Sequence, residues 1–303
     1  MCTRSKIAAG TVVLAFAIAA AAASARAATI TELSEFDYPS TGASTLPYGI
    51  NNSGAIVGIV VNGTMAGFER FKTGKFVPLS DPSGNGLDTQ AFGINDSGAI
   101  DGIYENATTS AIIGFTLTKG VYADFLGAPA ECNSAPCVGY LLGINNGNNL
   151  AGVWFPPGSA VQAFAVLGGV FTPITSSLLA TGAVAYSINN KSTVVVGYYV
   201  DSSSLAHGFS YTVAGGAIKE LNYPGGTQTI IFGNNNSGTI TGYYIDAGGV
   251  AHGLARIAGH WATYDFAGAT GTTLEYVNDK NVATGQYTDT AGVTHGLTLQ
   301  IAP

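Results

Sequence analysis

The chain has 303 residues, a formal net charge of −7 and 10% charged residues, where an ordinary soluble domain carries roughly 25%. So acidic a chain is a poor partner for nucleic acid or an anionic membrane surface. Its 42 glycines point away from helical bundles and towards a turn-rich, all-β protein.

The first element is a targeting segment. "MCTRSK" is a short basic region, "IAAGTVVLAFAIAAAAA" an apolar stretch, and "ASARA" ends on the small-residue pattern Ala25-Arg26-Ala27. This arrangement predicts a signal peptide over residues 1–27, cut after Ala27. An uncleaved anchor is the alternative, and the polar, β-type sequence that follows argues for cleavage. Cys2 precedes the apolar stretch, so it is not placed for lipid attachment. Loss of Arg4, Lys6 and Arg26 moves the net charge to about −10. No second long apolar run follows, so the expectation is a secreted or periplasmic protein without membrane insertion.

From residue 28 onward one unit recurs six times. "YGINNSGAIVG" from Tyr48, "FGINDSGAIDG" from Phe92, "LGINNGNNLAG" from Leu142 and "FGNNNSGTITG" from Phe232 are plain copies. Aligned on the first Asn of each turn, the copies begin at Asn51, Asn95, Asn145, Asn189, Asn235 and Asn278. A Gly follows seven residues later (Gly58, Gly102, Gly152, Gly242, Gly285), or eight in the fourth copy (Gly197). Each copy reads as four short strands. In the fifth these are "TQTIIFGNN", "TITGYYI", "HGLARI" and "HWATYDF". The Asn-to-Gly turn joins the first two, because Asn accepts local backbone hydrogen bonds and Gly adopts positive φ.

Four antiparallel strands in about 45 residues match one blade of a propeller. The sixth copy stops after its third strand, "THGLTLQIAP", while the mature N-terminus, "ITELSEFDYPS", resembles a lone fourth strand. Closing the last blade with the N-terminal strand removes the open sheet edge. The prediction for residues 28–303 is therefore a single six-bladed β-propeller of four-stranded blades. A β-solenoid is the competing architecture, and it gives no reason for these complementary ends.

The second interval, from Asn95 to Asn145, is the longest, and it contains "ECNSAPCVGY". In an oxidising compartment Cys132 and Cys137 read as a local disulfide. A metal or redox pair is the alternative, and no His lies nearby.

The phrase G-I-N-x-x-G-x-[IL]-x-G followed by H-[AG]-F resembles the repeat of the extracellular HAF-family proteins of bacteria. The residues that carry it are 49–58, 93–102, "AHGF" (206–209), "AHGL" (251–254) and "THGL" (294–297). The first three copies depart from it, with "AGF", "IGF" and "QAF" lacking the His. The resemblance spans nearly all of the mature chain and implies export. It implies no activity, cofactor or catalytic residue.

Three sets of residues compete as functional. His207, His252 and His295 occupy equivalent places, but third strands lie roughly 10 Å outside the innermost one, whereas a zinc needs each nitrogen at about 2.1 Å. They read as structural, each bonding within its own blade, and no metal or other cofactor is expected. Asp201, Asp246 and Asp289 recur after the second strand, beside Tyr199, Tyr244 and Tyr287. As turn formers they cap hairpins. As binding residues, the acid accepts sugar hydroxyls while the aromatic ring stacks on a sugar face.

The third set breaks the repeat. Glu275 stands where other copies have Tyr48, Phe92, Leu142, Tyr186 and Phe232, and Asp101 replaces Val, Ala or Thr. A buried carboxyl has a raised pKa, as a general acid requires. Asn234 and His260 also depart from the pattern. Sequence drift would explain each of these. No nucleophile elbow, P-loop or H-E-x-x-H occurs. Two functions follow as expectations: a binding module for a glycan or envelope protein, or a polysaccharide hydrolase or lyase using Glu275 and Asp101.

Overall fold

The computed structural model describes residues 27–84, 88–125, 139–156 and 158–303. The Cys132–Cys137 pair and most of the segment predicted as a signal peptide, residues 1–26, lie outside the described residues. A lone N-terminal strand, β1 (Thr29–Phe36), precedes the first blade. Blade 1 is β2 (Ser44–Ile50), β3 (Ile56–Val61), β4 (Met65–Arg70) and β5 (Phe76–Leu79). Blade 2 is β6 (Gln90–Ile94), β7 (Ile100–Glu105), β8 (Ile112–Thr118) and β9 (Val121–Phe125). Blade 3 is β10 (Gly139–Ile144), β11 (Leu150–Trp154), β12 (Gln162–Leu167) and β13 (Val170–Pro173). Blade 4 is β14 (Ala183–Ile188), β15 (Val194–Val200), β16 (Ala206–Thr212) and β17 (Ala217–Glu220). Blade 5 is β18 (Gln228–Asn234), β19 (Ile240–Ile245), β20 (Ala251–Ile257) and β21 (His260–Tyr264). Blade 6 is β22 (Gly271–Val277), β23 (Val282–Thr288) and β24 (Thr294–Ala302), completed by β1, which pairs antiparallel with β24 from Thr29↔Ala302 to Phe36↔Gly296.

The inner strands β2, β6, β10, β14, β18 and β22 pack side by side, and β22 touches β2, so the ring is closed. The fold is a six-bladed β-propeller, as the complementary ends of the sequence predict. Among the described residues no helix is long and apolar enough to cross a membrane.

The repeated Gly has a specific cause. Every inner strand carries a register break at or beside the repeat-breaking position, between Ala91 and Gly93 in β6 and between Leu141 and Gly143 in β10. Such a bulge bends the strand and re-aims its side chain, here to the propeller axis. The second strand then runs so close that a Cβ on Gly102 would stand 2.0 Å from the Gln90 carbonyl oxygen, and one on Gly152 2.1 Å from that of Tyr140. On the other side each Gly pairs with the large residue of the third strand: Gly58↔Phe68, Gly102↔Phe115, Gly152↔Phe164 and Gly197↔Phe209. All four rings are fully buried. An aromatic ring thus covers the missing side chain. The Gly of the turn phrase and the Phe of "AGF" or "HGF" form one cross-strand pair.

The turns build a ring of their own. Asn51 Oδ1 accepts the backbone N–H groups of Ser53 and Ala55, both at 3.0 Å, while its Nδ2 donates to the Asn95 carbonyl at 3.1 Å. The same reach to the next blade recurs from Asn95, Asn145, Asn235 and Asn278, the last returning to Asn51. Asn189 fails to make it, because its turn is one residue longer and its amide bonds Thr193 instead. A second circle lies just outside. There Asp96 and Asp279 each bind backbone and amide N–H groups of neighbouring turns, as in Asn52 N to Asp96 at 2.7 Å and Asn236 N to Asp279 at 2.8 Å.

Candidate functional site

Two groups of chemistry-bearing residues emerge, one at the axis and one on the face opposite the asparagine ring, where the chain crosses between blades. At the axis, Tyr48 and Phe92 lie with ring centroids 5.1 Å apart, and Tyr186 meets Phe232 edge-on at 4.6 Å. Leu142 packs in the same cluster as Tyr48, Phe92 and Tyr186. Tyr276, from blade 6, crosses it: its O–H donates to the carbonyls of Leu142 and, at 3.0 Å, Tyr186.

Glu275 sits beside this tyrosine, 1% exposed. Oε1 accepts from the Thr273 hydroxyl at 2.6 Å and Gln286 Nε2 at 3.2 Å, and buried Oε2 has no partner. Burial pushes its carboxyl up to about 8 against the pull of the Thr273 hydroxyl. Asp101 is fully buried and accepts the Gly93 backbone N–H at 2.6 Å, satisfying a donor that the bulge frees from the ladder. Burial raises it to about 7 although that N–H lowers it. Thr284 fills the corresponding role in blade 6, accepting the Tyr276 N–H at 3.2 Å. The raised pKa values expected of Glu275 and Asp101 are present. Both carboxyls are buried, 1% and 0% exposed, so neither is open to a polymeric substrate.

The crossover face carries three stations of one design. In register across the second and third strands, Tyr199 opposes His207, Tyr244 opposes His252 and Tyr287 opposes His295. Each ring pair stacks, with centroids 5.2, 4.8 and 4.9 Å apart. Beside each His stands the repeated acid. Oδ2 of Asp201 is 3.1 Å from His207 Nε2, with 3.4 Å for Asp246–His252 and 3.5 Å for Asp289–His295. The other oxygen closes the hairpin turn, as Asp246 Oδ1 does by accepting the N–H of Gly248 at 2.8 Å and Val250 at 2.9 Å. The turn-forming role is therefore real, and the acid has a second oxygen to spare.

In blades 5 and 6 a second carboxylate bonds the far side of the imidazole: Asp265 to His252 Nδ1 at 2.8 Å and Asp37 to His295 Nδ1 at 3.0 Å. Blade 4 has Asn222 at that place. Asp265 and Asp37 are 56% and 53% exposed. Desolvation disfavours the charged imidazole of His252 and His295, but the flanking acids outweigh it and both pKa values are raised. The backbone N–H groups of Leu205, Val250 and Val293 hold Asp201, Asp246 and Asp289 below the usual carboxylate range, the His adding to the effect.

The aromatic partners sit differently from the sequence expectation. Tyr244 lies between His252 and Tyr223 (4.4 Å), and Tyr287 between His295 and Phe266 (3.7 Å). Tyr199 is buried under His207, its O–H given to Glu220. These ring faces are covered by protein, so solvent meets the acid–imidazole pair. Asp37 and Asp265 hold equivalent places at the ends of the matched fourth strands, in "EFDY" and "TYDF". The three His each bond within their own blade. Among the described residues no group of His, Cys, Asp and Glu is arranged to hold a metal.

No protein-family model and no curated protein matches the chain. Solved structures do. TolB from Acinetobacter baumannii is 10% identical, with a TM-score of 0.53 over 86% of this chain and 67% of that one. AofleA from Arthrobotrys oligospora is 11% identical (TM-score 0.52, 90% and 86% covered). A mutant of Aleuria aurantia lectin in complex with α-methyl-L-fucoside is 12% identical (TM-score 0.51, 90% and 96% covered). The likeness is one of fold. Another structure of the Aleuria aurantia lectin is described as a six-bladed β-propeller with a novel fucose recognition mode.

Proposed function

We propose that the protein is an exported glycan-binding propeller. The observation that carries this reading is the threefold recurrence, in successive blades, of a half-exposed carboxylate–imidazole pair braced from behind by a stacked tyrosine. Carboxylate acceptors held at fixed spacing by an imidazole suit the hydroxyl donors of a sugar. Bracing limits the entropy lost on binding. Three like stations on one rigid face favour a repetitive ligand, because each further contact on the same chain is intramolecular. The likeness of fold to lectins solved with a fucoside supports the class of ligand. Export rests on the N-terminal segment and on the HAF-like repeat.

The test is a glycan array probed with residues 28–303, followed by titration of the best ligand into wild type and Asp246→Asn/Asp289→Asn. Binding that weakens at least tenfold in the double variant supports the stations as the site. An empty array, or an affinity the double variant leaves unchanged, overturns the assignment. The alternative of a polysaccharide-cleaving enzyme has no accessible acid at Glu275 or Asp101 to support it.

A further inference from the structure

On the face that carries the asparagine ring, a groove runs between blades 6 and 1, where the N-terminal strand closes the propeller. Its cavity volume is about 340 Å³, within the range of small-ligand sites. Three of the chain's 11 lysines and arginines line it, namely Arg70, Lys72 and Lys280, and no acid does. In a chain of net charge −7 such a concentration is the local reverse of the whole surface.

None of the three cations has an ion-pair partner among the described residues. Among the described residues every ion pair within 4.0 Å involves a histidine, and none involves Lys or Arg. The Lys280 charge is felt by Asp96, whose oxygens already accept from Asn52 and Asn146. Arg70 lies over the Phe36 ring at 4.4 Å, and its buried Nε has no hydrogen-bond partner. The Lys72 stem rests against Gly54, its Cδ 3.6 Å from where a Cβ there would stand. Ile50, Ile56 and Val282 supply an apolar floor, Leu33 (55% exposed) an apolar lip, and Ser34 and Thr298 hydroxyls.

The groove between blades 4 and 5 is an internal comparison. Lys191 stands there where Lys280 stands in blade 6. Arg256, the counterpart of Arg70, lies by Trp261 (5.5 Å) and does not line the groove, and Ala258 replaces Lys72. The cluster of three at the seam between blades 6 and 1 is therefore not repeated between blades 4 and 5.

We propose that this groove is a subsite for an anionic glycan, its carboxylate or sulfate set among Arg70, Lys72 and Lys280 and a sugar face lying on the apolar floor. The proposal rests on the glycan-binding reading but uses the opposite face from the acid–imidazole stations. Lone cations without protein partners gain most from an anion, since no existing pair has to be broken.

The experiment titrates residues 28–303 at low ionic strength with a tetragalacturonate, a sulfated galactan tetrasaccharide and a neutral galactotetraose. At least one anionic oligosaccharide is expected to bind at least tenfold more tightly than the neutral one. That binding should weaken as salt is raised and fall at least tenfold in Lys72→Ala/Lys280→Ala and further in Lys72→Glu. Both lysines are exposed, and unchanged unfolding midpoints will certify the variants. Whichever anionic ligand binds identifies the substituent. Equal binding of all three, no binding of either anion, or indifference to the lysine variants overturns the subsite. If sugars bind through the crossover face but show no preference for an anion and no response to the lysine variants, the subsite falls and the glycan reading stands; silence across the whole array removes both.

Discussion

Asn234 Nδ2 donates to the Val194 carbonyl at 3.0 Å, spanning the one place where the ring of asparagine bonds is open. The fourth turn is a residue longer, so Asn189 bonds its own Thr193 and cannot reach blade 5. Asn234, standing where the repeat has Ile, crosses the same seam in the other direction and accepts from Ser187 Oγ at 3.0 Å. A letter that reads as drift in the sequence thus bridges the seam that the longer turn leaves open.

Asn234→Leu should cost about 1–3 kcal/mol, because it leaves buried partners unsatisfied. Removing Lys191 in addition shortens the turn to the common length and should recover part of the loss. Urea midpoints of the two variants and their combination measure the coupling. Simple additivity would mean that the two features are unrelated.

Gly102→Ala should destabilise by about 3 kcal/mol or more, since its Cβ would stand 2.0 Å from the Gln90 carbonyl oxygen and overpacking against backbone cannot relax cheaply. Gly271→Ala is the control. A Cβ there meets nothing nearer than 3.7 Å, and its effect should stay within about 0.5 kcal/mol. Thermal unfolding of both reads the difference.

Glu275 and Asp101 predict an unusual pH profile. Each has a folded pKa above its unfolded value, near 8 and 7, so the folded state holds the proton more tightly between about 4 and those values. Their contribution is complete at acid pH and is lost as pH rises, by about 1.4 kcal/mol per pH unit for each group in its window. Glu275→Gln should remove its share of that slope and gain stability at pH 8 relative to wild type. A wild-type curve that is flat between pH 5 and 8 would refute the assignment.

At the blade 5 station, His252 owes its raised pKa to Asp265 and Asp246. For a base, stability from such a shift is full below the unfolded value, about 6.5, and is lost as pH rises through the folded one. Asp265→Asn should lower the His252 pKa, whereas Asp37→Asn should leave it in place. Both are read by titrating the imidazole resonances.

Much of this molecule is legible one letter at a time. The period, the Asn-to-Gly turn, the number of blades and the closure by β1 follow from local turn chemistry and from strands counted along the chain. The bulges and the close strand approach repeat with the same letters, so Gly102 and its counterparts were visible as a pattern even before Gln90 supplied the reason. Other facts belong to the closed ring. Tyr276 donates to the Leu142 carbonyl 134 residues away, and Lys280 shares a groove with Lys72. Tyr244 was expected to face a sugar, and its ring is taken by His252 and Tyr223. The repeat determines which strand follows which, because turns and pleats act between near neighbours. What faces what across a seam or the axis was decided by tertiary structure alone, because only closure brings those distant carbonyls, rings and charges within reach of one another.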